Sequence, residues 1–462
     1  MGKIKIGLEI HMYLNTKEKL FCDCCKAKKN DEVNSKICPI CTGQPGAKPM
    51  LPNKDALFKT IKLGIIFGSK ITNVTNFQRK QYTWPDMPVG FQRTVSGNVV
   101  PTGVGGSFMG IGIEELHLEE DPAAWDPVTG EINYNRAGSP LAEIVTKPEF
   151  ESTDQLREWL KELVLVADYI DAIDTDFNIK SDVNVSIEET GFKRVEIKNV
   201  NSFTNIVNAA ECEIERQRKL FLKGDVIKQE TRRFNEQTNT TDFMRSKENA
   251  QDYMFIPEVD LPSIVIEDSL VEELRKSIPE LACEKRLRYQ KYGLSKEDCD
   301  VLVCDKYMAY LFESAIKIGL DPKESGLFLR REILRVLNYN KGSFEDLKNK
   351  NIDNQIIVLL SLLLKSEISY TTAQKLMEKL YDASFDVADY VKSNNLMQIS
   401  DNSLLEELVD NAIKSSPKIV ADYKSGNTKA LNSIVGMVMN VTKGKANPSV
   451  VNKILLDKIK NL

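Results

Sequence analysis

Two histidines, His11 and His117, are the only imidazoles in the 462 residues, and acidic residues stand close to each. Glu9 and His11 lie two residues apart in a segment whose even positions are apolar: Ile4, Ile6, Leu8, Ile10, Met12 and Leu14. Such alternation predicts a half-buried strand with Glu9 and His11 together on its polar face. A carboxylate beside an imidazole is a partial ligand set for a divalent cation. The alternative is an exposed strand face with ordinary polar residues.

A second acidic cluster follows His117 in the segment Leu116-His-Leu-Glu-Glu-Asp121. Three consecutive acids repel one another unless a cation or a basic partner lies between them. On an extended segment Glu119 shares the face of His117, and Glu120 points the other way. Glu143 is the only charged residue between Ala137 and Thr146, so it also needs a partner. A magnesium ion held by carboxylates and substrate phosphates would supply one.

Basic and aromatic residues are interleaved at Arg79, Lys80, Tyr82 and Trp84. Arginine and lysine bind phosphoryl oxygens, and tyrosine and tryptophan offer faces for stacking, so Arg79, Lys80 and Tyr82 are candidates for nucleotide binding. The alternative is a surface loop with a positive tip. The glycine-rich segment Thr102–Ser107 lacks the Gly-Lys-Ser/Thr of a phosphate-binding loop, and we interpret it as a hairpin loop.

Five of the nine cysteines lie between Cys22 and Cys41. Their spacing, a close group at 22–25 and then Cys38-x-x-Cys41, is typical of a zinc knuckle. We predict a structural zinc site formed by Cys22, Cys24, Cys38 and Cys41, with Cys25 as a possible substitute. The alternative is five reduced thiols without a metal.

Composition places the chain among ordinary globular proteins, with 42% hydrophobic and 28% charged residues. No apolar stretch approaches the ~20 residues that span a bilayer, and the N-terminus is not a signal peptide. We expect a cytoplasmic or organelle-matrix protein without membrane contact. The net charge of −5 is uneven, because residues 411–462 contain nine lysines and two acids. This basic tail suggests a polyanionic partner, and a solvated lysine-rich helix is the alternative.

The pattern of residues predicts an α+β protein. Short alternating runs, glycine and proline dominate the first part of the chain, and amphipathic helices begin near Ser152 and Phe203. Strand signals end near residue 283, beyond which the sequence is helical. We therefore expect a mixed α/β domain at 1–283, a helical domain at 284–400 and a basic helical tail domain at 401–462.

Several motifs, in order along nearly the whole chain, resemble one family, the B subunits of the glutamyl/aspartyl-tRNA amidotransferase. They are Ile6–His11, Arg79–Tyr82, Leu116–Asp121, Asn135–Gly138, Pro140–Thr146, Arg194–Phe203, Met244–Lys247, Asp252–Tyr253 and Thr442–Pro448. The resemblance implies a cradle-shaped mixed α/β catalytic domain, an all-helical domain and a small helical tail domain that contacts tRNA.

The resemblance also implies an ATP-dependent carbon–nitrogen ligase. With ATP and Mg²⁺, such a protein phosphorylates the side-chain carboxylate of Glu-tRNA(Gln) and/or Asp-tRNA(Asn), and ammonia then displaces the phosphate. Its partners would be a glutaminase, which supplies the ammonia, and a small third subunit that links the two larger ones in a heterotrimer.

Matched residue by residue, the resemblance assigns Glu9, His11, Glu120 and Glu143 to the magnesium ion and Lys80 to the phosphate. Asp182 matches an acidic position less firmly, because this chain has Lys180-Ser-Asp182 where the family often has Arg-Cys-Asp. The resemblance favours Glu120, whereas strand alternation favours Glu119, which we keep as a neighbour. Two other functions remain open: a non-catalytic tRNA-binding adaptor, and an ATP-dependent ligase that acts on a small molecule.

Overall fold

The structure, a computed structural model, describes residues 2–82, 84–246, 253–398, 402–424, 430–442 and 444–460. The chain forms two compact units, Met1–Leu281 and Ala282–Leu462. The predicted boundary at residue 400 lies outside the described residues, as do the motif residues Lys247, Asp252 and Lys443.

The first unit contains every described strand and four of the described helices. The strands are β1 Ile4–Tyr13, β2 Lys70–Ile71, β3 Val74–Thr75, β4 Gln78–Gln81, β5 Gln92–Thr94, β6 Gly103–Val104, β7 Ser107–Phe108, β8 Ile111–Glu120, β9 Ala124–Trp125, β10 Ile132–Asn133, β11 Pro140–Thr146, β12 Lys180–Ile187, β13 Val195–Asn201, β14 Glu230–Asn235, β15 Thr240–Ser246, β16 Met254–Pro257 and β17 Ile264–Val265. The helices are α1 Lys54–Phe67, α2 Thr153–Tyr169, α3 Phe203–Lys223 and α4 Asp268–Lys276.

Strand β1 lies in the middle of one large, mainly antiparallel sheet, in the order β15-β14-β13-β12-β1-β11-β8-β5-β4-β16. Its alternation is as predicted: Ile6, Leu8 and Ile10 are buried, and Glu9 and His11 are half-buried on the other face. The apolar side chains of β1 join residues of α1, α2 and α3 in one hydrophobic core. The helices therefore cover one face of the sheet, and the polar side chains of β1 belong to the other.

The two helices predicted in the first unit are present as α2 and α3. Ser152 caps α2 by accepting a hydrogen bond from the backbone N–H of Gln155. The side chain of Gln155 accepts a hydrogen bond from the backbone N–H of Glu151 rather than from that of Ser152. Only one of the two hydrogen bonds of the predicted capping box therefore forms. Within α2, Trp159 is fully buried, and its indole N–H donates to the carbonyl of Phe108.

The expectation of a hairpin loop at Thr102–Ser107 is wrong. Both β6 and β7 pair with β8, so the segment forms an interrupted strand, and its break falls at Gly105 and Gly106. Both glycines have positive φ, and a Cβ on Gly106 would lie 2.4 Å from the carbonyl oxygen of Phe67. The glycines thus let the backbone of this segment pass close to the end of α1.

The second unit contains helices and no strand among its described residues, which confirms the predicted α+β class with helical regions at the end. Its helices are α5 Ala282–Gln290, α6 Lys296–Leu302, α7 Lys306–Lys317, α8 Pro322–Asn340, α9 Phe344–Asn349, α10 Asp353–Leu364, α11 Tyr370–Asp382, α12 Val387–Ser393, α13 Asn402–Ser415, α14 Pro417–Lys424, α15 Leu431–Val441 and α16 Pro448–Lys460. The last four helices contribute to a hydrophobic core of their own, which includes Leu405, Ile434 and Leu455. Among the residues described, no helix is both long and apolar enough to cross a membrane.

The position of Ile10 leads to a stability prediction. The side chain is fully buried on the central strand, so Ile10→Ala should lower the free energy of unfolding by about 2–5 kcal/mol. Chemical denaturation followed by tryptophan fluorescence would report it, because all three tryptophans lie in the first unit. Val128→Ala, at a side chain that is 91% exposed, should change stability by no more than ~0.5 kcal/mol. A loss below about 1 kcal/mol for Ile10→Ala, on the scale of ordinary surface changes, would contradict the central position of β1.

Candidate active site

The polar face of the sheet brings His11, Glu119 and Glu143 together from three adjacent strands. His11 on β1 is paired with Glu143 on β11, and Glu119 lies on β8, the next strand. His11 Nε2 is 3.3 Å from Glu119 Oε1 and 3.9 Å from Glu143 Oε1. One ligand atom from each of the three residues lies within 4.8 Å of the others. The arrangement is therefore a candidate site for a divalent cation.

The electrostatics of this group show a concentration of negative charge. Burial lowers the pKa of His11, but the hydrogen bond with Glu119 and the charges of Glu119, Glu143 and Asp182 raise it to about 9. Burial raises the pKa of Glu119, and His11 and Lys80 more than compensate, so that it falls below its usual value. Without a divalent cation, a protonated imidazole therefore balances the carboxylates.

Two buried carboxylate oxygens of the group lack a hydrogen-bond partner among the described residues. They are Glu119 Oε2 and Glu143 Oε2. Buried carboxylate oxygens ordinarily have partners. Adjacent ligands of an octahedral magnesium ion, each about 2.0–2.1 Å from it, are about 3 Å apart, and the His11–Glu119 separation of 3.3 Å is close to this spacing. The donor set and its spacing therefore fit a small divalent cation.

Glu9 and Asp182, predicted for the same ion, lie in a separate group. Glu9 on β1 is paired with Asp182 on β12, and Glu196 on β13 completes a second set of three carboxylates. Lys198 lies among them, 2.8 Å from Asp182 and 3.2 Å from Glu196. Burial, with the charges of Asp182, Glu143 and Glu196, raises the pKa of Glu9. A lysine ammonium thus supplies part of the positive charge that this group needs.

Glu120 points away from His11, although the resemblance assigns both residues to one ion. Its carboxylate accepts hydrogen bonds from the backbone N–H of Arg93 at 2.9 Å and from the Arg93 guanidinium at 3.2 Å. Burial raises the pKa of Glu120, although Arg93 opposes this effect. The reason for the difference is the strand pleat, which places neighbouring residues on opposite faces. Glu119, and not Glu120, therefore lies beside His11.

Arg79 also belongs to the opposite face, contrary to the expectation that it binds the nucleotide. Its guanidinium lies 2.7 Å from Glu258 and 3.2 Å from Asp260. Glu258 is buried and contacts Arg93 as well, at 2.9 Å. The result is a chain of ion pairs from Glu120 through Arg93 and Glu258 to Arg79, which ties β8, β5 and β4 to the segment after β16.

Lys80, next to Arg79 on β4, faces the carboxylates. Burial lowers its pKa, but the charges of Glu119 and Glu143 raise it overall, as expected for an ammonium group near them. Its Nζ also lies 4.7 Å from the ring centre of Tyr253. Tyr82 packs edge-on against Tyr253, with 5.9 Å between the ring centroids. The structure thus brings Lys80 and Tyr82 to the same side of the sheet as His11.

Sequence reasoning missed a basic and phenolic cluster next to His11. Lys180 is paired with His11 across β1 and β12, and its Nζ donates to the hydroxyl of Tyr13 at 2.9 Å. Tyr13 donates to Asp121 at 2.5 Å, and Arg136 lies 2.8 Å from Asp121. The alternation of β1 already places Tyr13 on the face of Glu9 and His11. The pairing with Lys180 depends on strand register, which no local pattern reveals.

His117 has a different environment from His11. Its Nδ1 lies 2.8 Å from the carbonyl oxygen of Val95, and its Nε2 lies 3.0 Å from Glu115. Burial lowers its pKa, but Glu115, Glu143 and this carbonyl raise it overall. Both ring nitrogens are engaged, so His117 supports the sheet rather than adding a ligand to the His11 group.

The predicted cysteine site is assembled from Cys22, Cys24, Cys38 and Cys41. Their sulfur atoms all lie within 4.8 Å of one another, and Cys25 is exposed outside the group. The Cys38 and Cys41 sulfurs are 3.8 Å apart. A tetrahedral zinc with Zn–S bonds of about 2.3 Å places its sulfurs about 3.8 Å apart. The geometry therefore fits a structural metal site.

Lys19 connects the cysteine group to the acidic strands. Its buried ammonium group donates to Cys41 Sγ at 3.5 Å and to the carbonyl oxygens of Lys36 and Tyr134. A hydrogen bond from Cys22 and the charge of Lys19 lower the pKa of Cys41 to about 5, against the effect of burial. The N–H of Leu20 also donates to the carbonyl of Gly138, two residues before β11. We call the segment of residues 19–41, which contains the four cysteines, the cysteine module. It thus supports the connection between β8 and β11.

Comparison with known families identifies the class to which this fold and site belong. Residues 4–272 match the family model described as the GatB/GatE catalytic domain, and residues 310–459 match the one described as the GatB domain. The first match contains both carboxylate groups and the cysteine module, so these features lie within a catalytic domain of this class.

Individual relatives match along the whole chain. The B subunit of the aspartyl/glutamyl-tRNA(Asn/Gln) amidotransferase of Methanocaldococcus jannaschii is 40% identical over 469 residues, which cover 99% of this chain and 98% of the relative. Proteins of the same name from Methanothermobacter thermautotrophicus and Methanopyrus kandleri are 39% and 37% identical, and each match covers 99% of this chain and at least 99% of the relative. The chain belongs to the family of amidotransferase B subunits.

The raised pKa of His11 predicts a titration that a divalent cation should alter. In the folded chain without divalent cations, the His11 ring should titrate near pH 9, above its ordinary value of 6.5. Its stabilising contribution should therefore be complete below about pH 6.5 and disappear as the pH rises through about 9. Saturating Mg²⁺ should lower the apparent pKa, because the metal and the proton compete for Nε2.

Nuclear magnetic resonance would follow this titration, since the chain has two histidines and His11→Gln assigns the signals. A midpoint near the ordinary pH of 6.5 without metal, or one that Mg²⁺ leaves unchanged, would contradict the proposed ligand group.

Proposed function

We propose that this chain is the amidating component of a tRNA-dependent amidotransferase. It uses ATP to phosphorylate the side-chain carboxylate of Glu-tRNA(Gln) and/or Asp-tRNA(Asn), and ammonia then displaces the phosphate. The names of its relatives, which describe one component of an amidotransferase for aspartyl- and glutamyl-tRNA, support this proposal.

The observation that carries the proposal is the His11–Glu119–Glu143 group with its two buried oxygens that lack partners among the described residues. We assign these three residues to the magnesium ion. When bound, Mg²⁺ would neutralise charge on the phosphoryl oxygens. The cost of burying two carboxylates side by side fits a site that is completed by a cation.

Lys80 is the residue that we assign to the transferred phosphate. Its ammonium group faces the carboxylates from the opposite side of the site, across β8 and β5 from β11. There it can stabilise the negative charge that develops during phosphoryl transfer. Tyr82 would contribute to the wall of the same pocket. Glu9 and Asp182 would hold Lys198 beside the site rather than share the His11 ion.

We further propose that the cysteine module binds a structural zinc ion. Four sulfurs with no histidine among them favour a closed tetrahedral site without an open position for catalysis. Its bonds to Gly138 and Tyr134 suggest that the ion stabilises the loop leading into the Glu143 strand.

The proposed reaction needs ammonia, and we assign its supply to partners. The relatives are named as one of several subunits of an enzyme, and we propose that a glutaminase and a small third subunit join this chain in a heterotrimer. The basic tail, with nine lysines and two acids in residues 411–462, would contact the tRNA backbone. A purely RNA-binding adaptor would not need the buried carboxylates of the His11 group, so the amidating role is favoured.

Substitution of Glu119 and of Glu120 separates the two assignments of the ligand. In the assembled complex, Glu119→Gln should lower ATP-dependent amidation about 100-fold or more. Glu120→Gln removes the charge that pairs with Arg93, so it should cost about 3 kcal/mol of stability and affect the amidation rate much less. Binding of mischarged tRNA should survive in both variants.

The measurements are conversion of Glu-tRNA to Gln-tRNA and thermal unfolding of the same preparations. Glu114→Gln, at an exposed residue of β8, is the matched control. If Glu120→Gln abolished amidation in a stable protein while Glu119→Gln remained active, Glu120 would be the ligand and our assignment would be wrong. Near-normal amidation by Glu143→Ala would contradict the assignment of the whole His11–Glu119–Glu143 group to the magnesium ion.

Metal analysis tests the cysteine module. Purified, reduced protein should contain about one zinc per chain. Cys41→Ser should lose the metal, whereas Cys25→Ser should retain it because Cys25 lies outside the sulfur group. Elemental analysis with titration of free thiols measures both. Wild-type protein with almost no zinc would show that the sulfur group is a set of reduced thiols.

A further inference from the structure

Three aromatic residues that the proposed chemistry does not use form a group with Tyr82, which we assign to the wall of the candidate active site. We call Tyr82, Trp84, Trp125 and Tyr253 the aromatic surface. Trp84 is 55% exposed and Tyr253 is 41% exposed, while Tyr82 and Trp125 are half-buried. Large rings in water lose the free energy that burial would provide. Their place beside a polar pocket therefore calls for a ligand with apolar faces.

The rings are paired, and one of the two pairs adjoins the site. Trp84 and Trp125 meet edge to face, with 5.6 Å between the ring centroids. Tyr82 and Tyr253 meet in the same way at 5.9 Å, and Lys80 lies over Tyr253. The carbonyl of Asp86 accepts a hydrogen bond from Ala123, so the strand containing Trp125 lies next to the segment after Trp84.

We propose that the aromatic surface binds the single-stranded 3′ end of an aminoacyl-tRNA by stacking its bases. The inference rests on the proposed function, which requires this end to place its aminoacyl group beside Lys80. Aromatic rings beside a positive charge are the usual means of holding single-stranded nucleic acid without reading its sequence.

The number of the rings favours a nucleotide chain over ATP alone. ATP has one base, which one ring face would satisfy, whereas this surface has two ring pairs. Tyr82 and Trp84 are two residues apart, a distance of up to about 7 Å. Successive stacked bases of one strand are separated by about 3.4 Å. The two positions are therefore at most about two base steps apart, so ring faces at both can contact bases of one strand.

The decisive variant is Trp84→Ala in the assembled complex, with amidation measured against the concentrations of aminoacyl-tRNA and ATP separately. The KM for aminoacyl-tRNA should rise by about fivefold or more, the loss expected for one stacked base. The KM for ATP and kcat at saturating tRNA should stay close to the wild-type values. Trp84→Phe should restore most of the affinity, because a phenyl ring still stacks. Val128→Ala, an exposed position near Trp125, is the matched control and should behave like the wild type.

Uncharged tRNA provides a second measurement that does not depend on catalysis. The wild-type complex should bind full-length tRNA more tightly than tRNA that lacks its last three nucleotides. The Trp84→Ala complex should bind the two alike. Loss of the preference in the variant connects the ring to the 3′ end rather than to the body of the tRNA.

Two results would overturn the inference. An unchanged KM for aminoacyl-tRNA in Trp84→Ala would show that the ring does not bind the 3′ end. A higher KM for ATP with an unchanged KM for tRNA would assign the ring to the adenine of ATP. Both require a wild-type complex that amidates aminoacyl-tRNA. Absence of that activity would instead contradict the proposed function, so the two failures are distinguishable.

Discussion

Repulsion between buried carboxylates on one face of the central sheet is the constraint on which the surrounding structure depends. Burial and the charges of Asp182, Glu143 and Glu196 raise the pKa of Glu9. A set of acids this close is tolerated because cations stand among them: His11, protonated in the absence of a metal, Lys198 and Lys80. Glu119 and Glu143 still keep one buried oxygen each without a partner among the described residues. The remaining imbalance is what makes this face suitable for a divalent ion and a phosphate.

Much of this arrangement follows from the sequence because it depends on a period of two. Alternation around Glu9 and His11 predicts the central strand and its polar face, and the same rule places Glu119 rather than Glu120 with His117. The resemblance to a family favours Glu120 because a motif identifies a run of acids without saying which way each side chain points. The cysteine spacing likewise predicts a sulfur cluster, because its members lie within 20 residues of one another in the chain. It leaves Cys24 and Cys25 as alternatives, and the structure brings Cys24 into the group.

Features that depend on contacts between distant segments could not be predicted. Arg93 and Glu258 are 165 residues apart, and nothing local indicates that they form a buried ion pair. The pairing of His11 with Lys180, and the place of Lys198 between two carboxylates, depend on the register of β12 and β13. The glycine-rich segment has the composition of a hairpin loop because glycines are common in turns. Here they permit a close approach between a broken strand and the end of α1.

Of two neighbouring charged residues on one strand, one faces the candidate site and the other forms an ion pair on the opposite face of the sheet. This couples the chemistry of the site to the stability of the sheet. On β4, Lys80 faces the carboxylates while Arg79 pairs with Glu258; on β8, Glu119 faces His11 while Glu120 pairs with Arg93. The ion pairs behind the sheet fix β4, β5 and β8 relative to one another. They thereby fix the distance between the lysine and the carboxylates in front, which a phosphoryl group would have to bridge. A charge lost from the back of the sheet would thus mainly weaken the attachment of these strands to one another, whereas a charge lost from the front would change the ligand set itself.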